Sequence, residues 1–373
     1  MKVLILVDHL RGGGAEKVTI RLAKALVDKG HMVSIVVIED DKSYLELPAQ
    51  VYFEAWNLEE IRHWRAHKKS AIPNISAQLN EINKRQGDFD LILVAWEHSH
   101  CLANQLPQDK TWLWIHSQIA DWPHPQSTFN PLKRLQSYKL GRKQQRANKQ
   151  LRKIYQHTKA IGVTIDVLTG LEKRVGFEFA HKISIPNVLD IDELNGLANQ
   201  PLPKDLTQPA IMFLGRLTEA KGAFDAIHAF KQSNIDGQLW MVGDGADRDK
   251  LVALSEKLGV KNKVIFTGFL SNPYPLLKAC KCLILTSYSE GLPTVLCEAI
   301  ALKTPCISTK SSSGPSEILI GPLAVGLVDV GNTPQISAKI KDFWENPIIP
   351  QAELAKRYSP DVIANEFLSL VAD

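Results

Sequence analysis

Short apolar runs alternate with amphipathic segments along the whole chain. The first run, residues 3–7, is typical of a strand that is buried on both faces. After a glycine-rich loop, residues 15–29 place apolar side chains at helical spacing, and Gly30 ends this helix. Strands that alternate with helices predict βαβ units and a parallel sheet. Further strands in this half are predicted at residues 32–38, 91–95, 111–115 and 160–163.

A second strand and helix series follows a polar segment, residues 199–209, which we interpret as a linker. Its five predicted strands are residues 211–214, 239–242, 264–267, 283–286 and 306–308, each followed by a turn. A chain of 373 residues also exceeds the usual size of one hydrophobic core. The expected fold class is therefore α/β, with two doubly wound Rossmann-like domains at residues 1–200 and 208–356. Two such domains facing each other form a cleft that is lined by strand-end loops, where ligands bind in open sheets.

Glycine follows the first strand in the stretch Gly12-Gly13-Gly14-Ala15-Glu16. Glycine lets backbone N–H groups approach a phosphate, and the start of the next helix adds a positive dipole. A dinucleotide-binding fingerprint would need glycine where Lys17 stands. This stretch alone is compatible with a phosphate-binding loop and with a flexible turn.

Two cations, Arg216 and Lys221, follow the first strand of the second half, with Gly215 before one and Gly222 after the other. A diphosphate leaving group gains charge as its bond to a sugar breaks. Cations at a strand end can neutralise that charge more strongly in the transition state than in the ground state. The alternative is that both are surface charges near a turn.

The most informative stretch is residues 290–298, in which Glu290 and Glu298 bracket a Gly-Leu-Pro turn. Pro293 is predicted to be the first residue of a helix. Backbone N–H groups at the start of such a helix point toward an anion, and the two carboxylates can accept hydrogen bonds from sugar hydroxyls. The candidate binding residues of this turn are Gly291, Leu292, Thr294 and Val295.

Three further strand ends carry candidate site residues. His116 follows the predicted strand 111–115, where it could donate or accept a hydrogen bond at a reacting centre; most single histidines are ordinary polar residues. Gly243 lies in a Val-Gly-Asp-Gly turn that suits close approach of a nucleotide. Leu270 follows Gly268 and Phe269, where backbone groups could reach a base.

With these motifs, essentially the whole chain resembles the retaining glycosyltransferases of family 4, which have the two-domain GT-B fold. The resemblance rests on Gly13-Gly14-Ala15-Glu16, Gly215-Arg216-Leu217 with Lys221-Gly222, the turn 242–245, the segment 185–187 and the Glu-x7-Glu pair. It implies that Arg216 and Lys221 bind a diphosphate, that Glu298 binds ribose hydroxyls and that Glu290 binds a sugar hydroxyl. It also implies a catalytic role for His116 and contact of Gly14 with the diphosphate.

The same resemblance implies transfer of a hexose or N-acetylhexosamine from a UDP-sugar, with retention of configuration and without a metal or other cofactor. Departing UDP would help to take the acceptor's proton.

The segment 305–318 looks like that of bacterial enzymes of lipopolysaccharide core and envelope glycan synthesis, including α-galactosyltransferases. In this fold, the helix predicted within residues 357–373 packs back toward the first domain. Asp88-Phe-Asp90 precedes a strand, at the end opposite to ligands, which argues against a metal role.

Positive charge is concentrated in the first half. Residues 122–165 contain ten Lys or Arg and no Asp or Glu, and because the net charge is +4, the rest of the chain sums to 4 − 10 = −6. Residues 62–69 form a second basic and aromatic cluster. Such blocks are attracted to phospholipid, phosphorylated glycolipid or nucleic acid, although a solvated helix face is an equal alternative. We expect peripheral contact with the anionic inner-membrane surface and a glycan or lipid-linked acceptor.

Composition limits the alternatives. No run is long and apolar enough for a membrane span or signal peptide, and an odd number of cysteines, five, without a Cys-x-x-Cys pair fits a cytoplasmic protein with buried thiols. A nucleic-acid or anionic-membrane binding protein without transferase activity stays as the alternative. No nucleic-acid module is present, so we expect no nucleic-acid partner. An epimerase would lack the Glu-x7-Glu pair, and a phosphorylase would need a pyridoxal lysine and a longer chain.

Overall fold

The computed structural model describes residues 1–11, 14–39, 46–58, 72–95, 98–117, 144–202, 206 and 208–371. The chain divides into two compact units. Unit 1 consists of Met1–Val188 and Ile363–Asp373, and unit 2 is Leu189–Val362. The structural division therefore lies after Val188, whereas the polar composition that suggested a linker begins at residue 199. The reason is that α5 (Ile191–Ala198) packs on helices of unit 2.

Unit 1 is built on a parallel sheet of seven strands in the order β3-β2-β1-β4-β5-β6-β7. The five strands predicted for this half are confirmed to within two residues at each end. The other two, β3 and β7, lie at the sheet edges, and their exposed or half-exposed residues form no apolar run that could have predicted them. The strands are β1 Lys2–Val7, β2 Met32–Val37, β3 Tyr52–Ala55, β4 Leu91–Ala95, β5 Thr111–Ile115, β6 Lys159–Gly162 and β7 His181–Ser184.

Helices of unit 1 cover this sheet with their apolar faces. In α1, Val18, Leu22 and Leu26 are fully buried in a core that also contains β1 and β4. The last helix, α12, adds Phe367 to the same core, and its ring meets the ring of Trp114 at 5.0 Å between centroids. The helices are α1 Gly14–Asp28, α2 Ser76–Gln86, α3 at residues 144–155, α4 Ile165–Val175 and α12 Pro360–Ser369.

Unit 2 is built on a parallel sheet of six strands in the order β10-β9-β8-β11-β12-β13. The five predicted strands of this half are confirmed. The sixth, β13, has only two residues, which is too short to give a sequence signal. The strands are β8 Ala210–Leu214, β9 Gln238–Val242, β10 Val264–Gly268, β11 Cys282–Leu285, β12 Cys306–Thr309 and β13 Leu327–Val328.

Helices flank this second sheet, and α6 and α11 contribute buried residues such as Ile227, Phe230 and Phe343 to its core. Together with α5, they are α6 Ala223–Ser233, α7 Arg248–Lys257, α8 Tyr274–Ala279, α9 Thr294–Ala301, α10 Ser313–Ile318 and α11 Thr333–Glu345. Both units are therefore Rossmann-like, which confirms the predicted fold class.

The strand order of each sheet reverses at one point, between β1 and β4 in unit 1 and between β8 and β11 in unit 2. At such a point, the connections from two neighbouring strands leave toward opposite faces, and a crevice opens between the loops at the strands' carboxyl ends. The loop after β8 carries Arg216 and Lys221, and the loop after β11 carries Glu290. The topology thus places the loop that carries both predicted cations beside the loop that carries the predicted carboxylate.

The five cysteines have the buried environment that the sequence predicts. All five cysteines are free and buried, and burial raises the pKa of Cys101, Cys280 and Cys297 to about 12. Thiols with such pKa values are unreactive at neutral pH. Over the described ranges, every helix is too short or too polar to cross a bilayer.

Candidate functional site

The loops after β8 and β11 meet in a two-point ion pair. Lys221 Nζ donates to Glu290 Oε1 at 2.7 Å and to Oε2 at 2.9 Å. Both side chains are partly shielded from water, with 24% of the Lys221 side chain and 10% of the Glu290 side chain exposed. The structure therefore brings these two predicted site residues into direct contact across 69 positions of sequence.

Gly222 allows the two loops to approach so closely. Its φ of +67° lies in the left-handed region, and an added Cβ would stand 1.9 Å from the carbonyl oxygen of Thr286. The hydroxyl of Thr286 donates to the Gly222 carbonyl at 2.8 Å, and the backbone N–H of Tyr288 donates to the Ala220 carbonyl at 3.0 Å. Glycine at this position is thus required both by backbone conformation and by space.

Ser287 is a residue of this site that sequence reasoning missed. Its Oγ donates to Glu290 Oε1 at 2.6 Å, and Ser287 itself is fully buried. The hydroxyl of Thr309, at the end of β12, donates to the Ser287 carbonyl at 2.6 Å. Serine three positions before a glutamate is a weak sequence signal, because such spacing is frequent by chance.

Tyr274 is the second residue that was missed. Its hydroxyl donates to Glu298 Oε1 at 2.9 Å, and both residues are buried. Tyr274 begins α8, whereas Glu298 lies in the second turn of α9. Nothing in the spacing of 24 residues predicts this contact, which depends on how two helices are placed on the sheet.

The prediction that Pro293 is the first residue of the helix is wrong by one position. The helix α9 begins at Thr294, and Pro293 precedes it with φ −71° and ψ 100°. The proline ring fixes φ near the helical value but leaves ψ open, and here ψ is extended. Pro293 still joins the first turn, because its carbonyl accepts from the N–H of Leu296 at 2.9 Å. Among the remaining residues of the turn, Gly291 and Leu292 are buried, and Thr294 and Val295 are partly exposed.

Backbone hydrogen bonds join the carboxyl ends of β8, β9 and β10. The N–H of Gly215 donates to the Val242 carbonyl at 3.0 Å, and the N–H of Gly243 donates to the Gly268 carbonyl at 2.9 Å. A Cβ on Gly243, whose φ is +130°, would lie 2.1 Å from the Gly215 carbonyl oxygen. Gly243 therefore has a packing role that the sequence did not indicate. Beyond these turns, Arg216 is exposed and Leu270 is partly exposed.

His116 belongs to unit 1, where it follows β5. Its two ring nitrogens are shielded from solvent, although the residue as a whole is partly exposed. Its ring lies 4.3 Å from the ring of Trp114. Burial lowers the pKa of His116 to about 4, against the opposing effect of a hydrogen bond with Asn187. The imidazole is consequently neutral near pH 7 and able to donate through one nitrogen and accept through the other.

The glycine-rich loop is only partly described, since Gly12 and Gly13 lie outside the described residues. Gly14 is the exposed first residue of α1, and an added Cβ there would meet nothing within 4 Å. Packing therefore gives no reason for glycine at this position. Nearby, the buried carboxylate of Asp8 accepts from the backbone N–H groups of Ser99 at 2.7 Å and His98 at 3.2 Å, while burial raises its pKa.

One aspartate in each of two Asp-x-Asp stretches, Asp88-Phe-Asp90 and Asp190-Ile-Asp192, accepts a hydrogen bond from the backbone. Asp90 accepts from the backbone N–H of Lys2 at 2.8 Å, at the amino end of β1. Asp190 caps α5 by accepting from the N–H of Glu193 at 3.0 Å. The part of the chain that the structure describes contains no cluster of three or more potential metal ligands.

Comparison with known proteins gives the class of protein. One family model, Glycosyltransferase Family 4, matches residues 12–193, and a second, Glycosyl transferases group 1, matches residues 197–361. The chain belongs to this glycosyltransferase family, which has the GT-B fold.

Curated relatives share stretches of this sequence. The lipopolysaccharide core biosynthesis glycosyltransferase LpsD of Rhizobium meliloti is 30% identical over 44% of this chain and 51% of its own length. The lipopolysaccharide 1,6-galactosyltransferase of Salmonella typhimurium is 34% identical over 31% of this chain and 34% of its own length. The matches thus span only a third to a half of these relatives.

Solved structures support the fold over the whole chain. The crystal structure of Anabaena HepE in complex with UDP and glucose superimposes with a TM-score of 0.71 at 19% identity, and covers 100% of this chain and 99% of HepE. At this level of identity, the likeness concerns the fold.

Proposed function

We propose that the protein is a retaining, metal-independent hexosyltransferase. It transfers a hexose or N-acetylhexosamine from a UDP-sugar to a glycan or lipid-linked acceptor in the synthesis of lipopolysaccharide or another envelope polysaccharide. The observation that carries the proposal is the ion pair between Lys221 and Glu290 at the point where the strand order of unit 2 reverses. There a cation and a sugar-binding carboxylate stand side by side.

Each residue has a role in this proposal. Arg216 and Lys221 bind the diphosphate and neutralise the charge that builds up as the bond to the sugar breaks. Glu290 accepts a hydrogen bond from a hydroxyl of the transferred sugar, and Glu298 accepts from the ribose. The neutral imidazole of His116 forms hydrogen bonds near the reacting centre. The departing UDP takes the acceptor's proton, so no separate base is needed.

The relatives support the choice of donor and pathway. HepE was crystallised with UDP and glucose, and the Salmonella relative is named for galactosyl transfer to lipopolysaccharide. A galactosyl donor is accordingly the first to test. Incubation with UDP-galactose, UDP-glucose, UDP-GlcNAc and UDP-GalNAc, with UDP release as the readout, requires no knowledge of the acceptor. The proposal predicts slow hydrolysis of at least one of the four, and the absence of both UDP binding and hydrolysis would contradict it.

Arg216→Ala tests the leaving-group role. We expect a loss of about two orders of magnitude in transfer and in UDP-sugar hydrolysis, on the scale of other lost transition-state donors. Lys250→Ala is the matched control, because it removes an exposed cation of the same unit that pairs with Asp247 at 2.7 Å. Equal rates in the two variants would eliminate the role of Arg216.

We also propose peripheral contact with the cytoplasmic face of the inner membrane. The described part of the basic block supports it, because α3 exposes Arg146, Lys149 and Lys153; the other cluster, residues 62–69, lies outside the described ranges. Exposed cations and an anionic membrane surface attract each other over a distance of about one Debye length. Flotation with anionic vesicles at low salt should recover the protein, and recovery should fall with Arg146, Lys149 and Lys153 replaced by Gln. Failure to float would contradict the proposal.

A further inference from the structure

We propose that two buried hydroxyls, those of Ser287 and Tyr274, are positioning groups that orient the two carboxylates separately. Ser287 orients Glu290, which faces the sugar, and Tyr274 orients Glu298, which faces the nucleoside. The donor site would therefore have a sugar-binding half and a nucleoside-binding half, and a single substitution could weaken binding in one half without the other. This inference rests on the proposed function, since it assigns Glu290 and Glu298 to the donor.

Ser287 acts through Glu290 because it is fully buried and so cannot reach a ligand. Its Oγ lies 2.6 Å from Glu290 Oε1, the same oxygen that accepts from Lys221 at 2.7 Å. A diphosphate would compete with Glu290 for the Lys221 ammonium. When Lys221 turns to the phosphates, the Ser287 hydroxyl still fixes Oε1, and the Glu290 carboxylate keeps its direction toward the sugar.

The segment around Ser287 is itself fixed, which makes its hydroxyl a rigid donor. Thr309 Oγ1 donates to the Ser287 carbonyl at 2.6 Å, and Thr286 Oγ1 donates to the Gly222 carbonyl at 2.8 Å. The serine is thus tied to β12 on one side and to the Gly222 turn on the other. A donor that is already ordered loses little conformational entropy when it forms its hydrogen bond.

Tyr274 has the corresponding place in the other half. Its hydroxyl donates to Glu298 Oε1 at 2.9 Å, and only 3% of Tyr274 is exposed. Its backbone N–H donates to the side-chain oxygen of Asn272 at 3.2 Å, which fixes the start of α8. Because Tyr274 lies in α8, Ser287 lies in the loop after β11, and the two bind different carboxylates, loss of one hydroxyl leaves the other hydrogen bond in place.

The experiment measures binding of UDP and of the UDP-sugar hydrolysed fastest, by calorimetry, together with kcat and KM of hydrolysis. Hydrogen bonds to a charged acceptor are strong enough that losing one should change affinity or rate about tenfold. Ser287→Ala should lower kcat/KM for the UDP-sugar about tenfold while the Kd of UDP stays within about twofold of wild type. Tyr274→Phe should weaken UDP about tenfold and weaken the UDP-sugar by the same factor.

Two matched controls remove the same atoms away from Glu290 and Glu298. Ser255→Ala deletes a buried hydroxyl of unit 2 that donates to the Val252 carbonyl at 2.7 Å, and Tyr52→Phe deletes a phenol oxygen of unit 1 that donates to the Glu54 carboxylate at 2.8 Å. Both controls should bind and hydrolyse like wild type. If Ser287→Ala proves unstable by thermal melting, Ser287→Cys keeps the side-chain shape with a much weaker donor and should show the same selective loss.

The possible outcomes are distinct. A selective loss in each variant supports the division into two halves. Equal losses of UDP and UDP-sugar binding in Ser287→Ala, or behaviour of both variants like that of the controls, would overturn it. If wild-type protein bound neither UDP nor any UDP-sugar, the proposed function itself would fail, and that result is recognised before any variant is made.

Discussion

At the scale of single residues, burial sets the protonation state of His116. The ring nitrogens of His116 are shielded from water, and the pKa of its imidazole falls to about 4. A neutral ring can accept and donate hydrogen bonds, which suits contact with sugar hydroxyls better than with a phosphate. The assignment of the cationic role to Lys221 and Arg216 is consistent with this difference.

The lowered pKa of His116 predicts a pH dependence of stability. Since the folded-state pKa of about 4 lies below the ordinary value of 6.5, the unfolded chain binds more protons between these pH values. Above pH 6.5, protonation of His116 does not change the free energy of unfolding. As the pH falls from 6.5 toward 4, His116 lowers the free energy of unfolding by about 3 kcal/mol at most. Urea unfolding of wild type and His116→Asn at pH 5 and 7 measures this difference.

The His116→Asn variant should lose less free energy of unfolding than wild type between pH 7 and pH 5. His181→Asn, which changes an exposed histidine of the same unit, should lose as much as wild type. Identical pH dependence of His116→Asn and wild type would show that the buried imidazole does not resist protonation.

At the scale of elements, the strand-end turns are shaped by close backbone approach. Gly222 brings the loop after β8 against Thr286, and Gly243 brings the loop after β9 against Gly215. These glycines do not need to touch a ligand to be indispensable. They place the loops so that Lys221, Glu290 and Ser287 can meet.

Gly222→Ala should therefore destabilise unit 2 and abolish donor binding. The added Cβ would lie 1.9 Å from the Thr286 carbonyl, at a φ of +67°. Gly259→Ala is a matched control, because Gly259 has φ +68° but nothing within 4 Å of an added Cβ. We expect a loss of about 1 kcal/mol for Gly259→Ala, from backbone strain alone, and about 3 kcal/mol for Gly222→Ala. Thermal unfolding and UDP calorimetry measure both effects, and equal losses would refute the steric explanation.

At the scale of the whole molecule, the chain returns to unit 1 after completing unit 2. Ile363, Ala364 and Phe367 of α12 are fully buried in the core of unit 1. Unit 1 is thus completed by residues that are distant in sequence from its sheet. Its stability should depend on a helix at the far end of the described chain.

Phe367→Ala tests this dependence. The Phe367 ring is fully buried and meets the Trp114 ring edge-on at 5.0 Å, so its removal leaves a cavity that should cost about 3–5 kcal/mol. Val362→Ala in the same helix, with 39% of Val362 exposed, should cost less than about 1 kcal/mol. Urea unfolding followed by tryptophan fluorescence compares the two. Similar losses would mean that α12 does not stabilise the core of unit 1.

Much of this architecture could be predicted because it is local. An apolar run such as residues 3–7 is typical of a central strand, and alternation with amphipathic helices implies a parallel sheet. The edge strand β7 could not be predicted, since its residues are mostly exposed and the strand is stabilised by pairing with β6. The site motifs were also visible, because Arg216, Lys221 and Glu290 follow strands, and parallel strands end at the same edge.

The sequence by itself thus determined the two α/β units, the candidate cations and carboxylates, and the edge of the sheet on which they lie. Only the tertiary structure decided which of them meet and what else joins them. The pairing of Lys221 with Glu290, the hydroxyls of Ser287 and Tyr274 and the lowered pKa of His116 all depend on positions far apart in the chain. Periodicity reports on neighbours along one element, whereas hydrogen bonds and desolvation depend on which elements the fold places side by side.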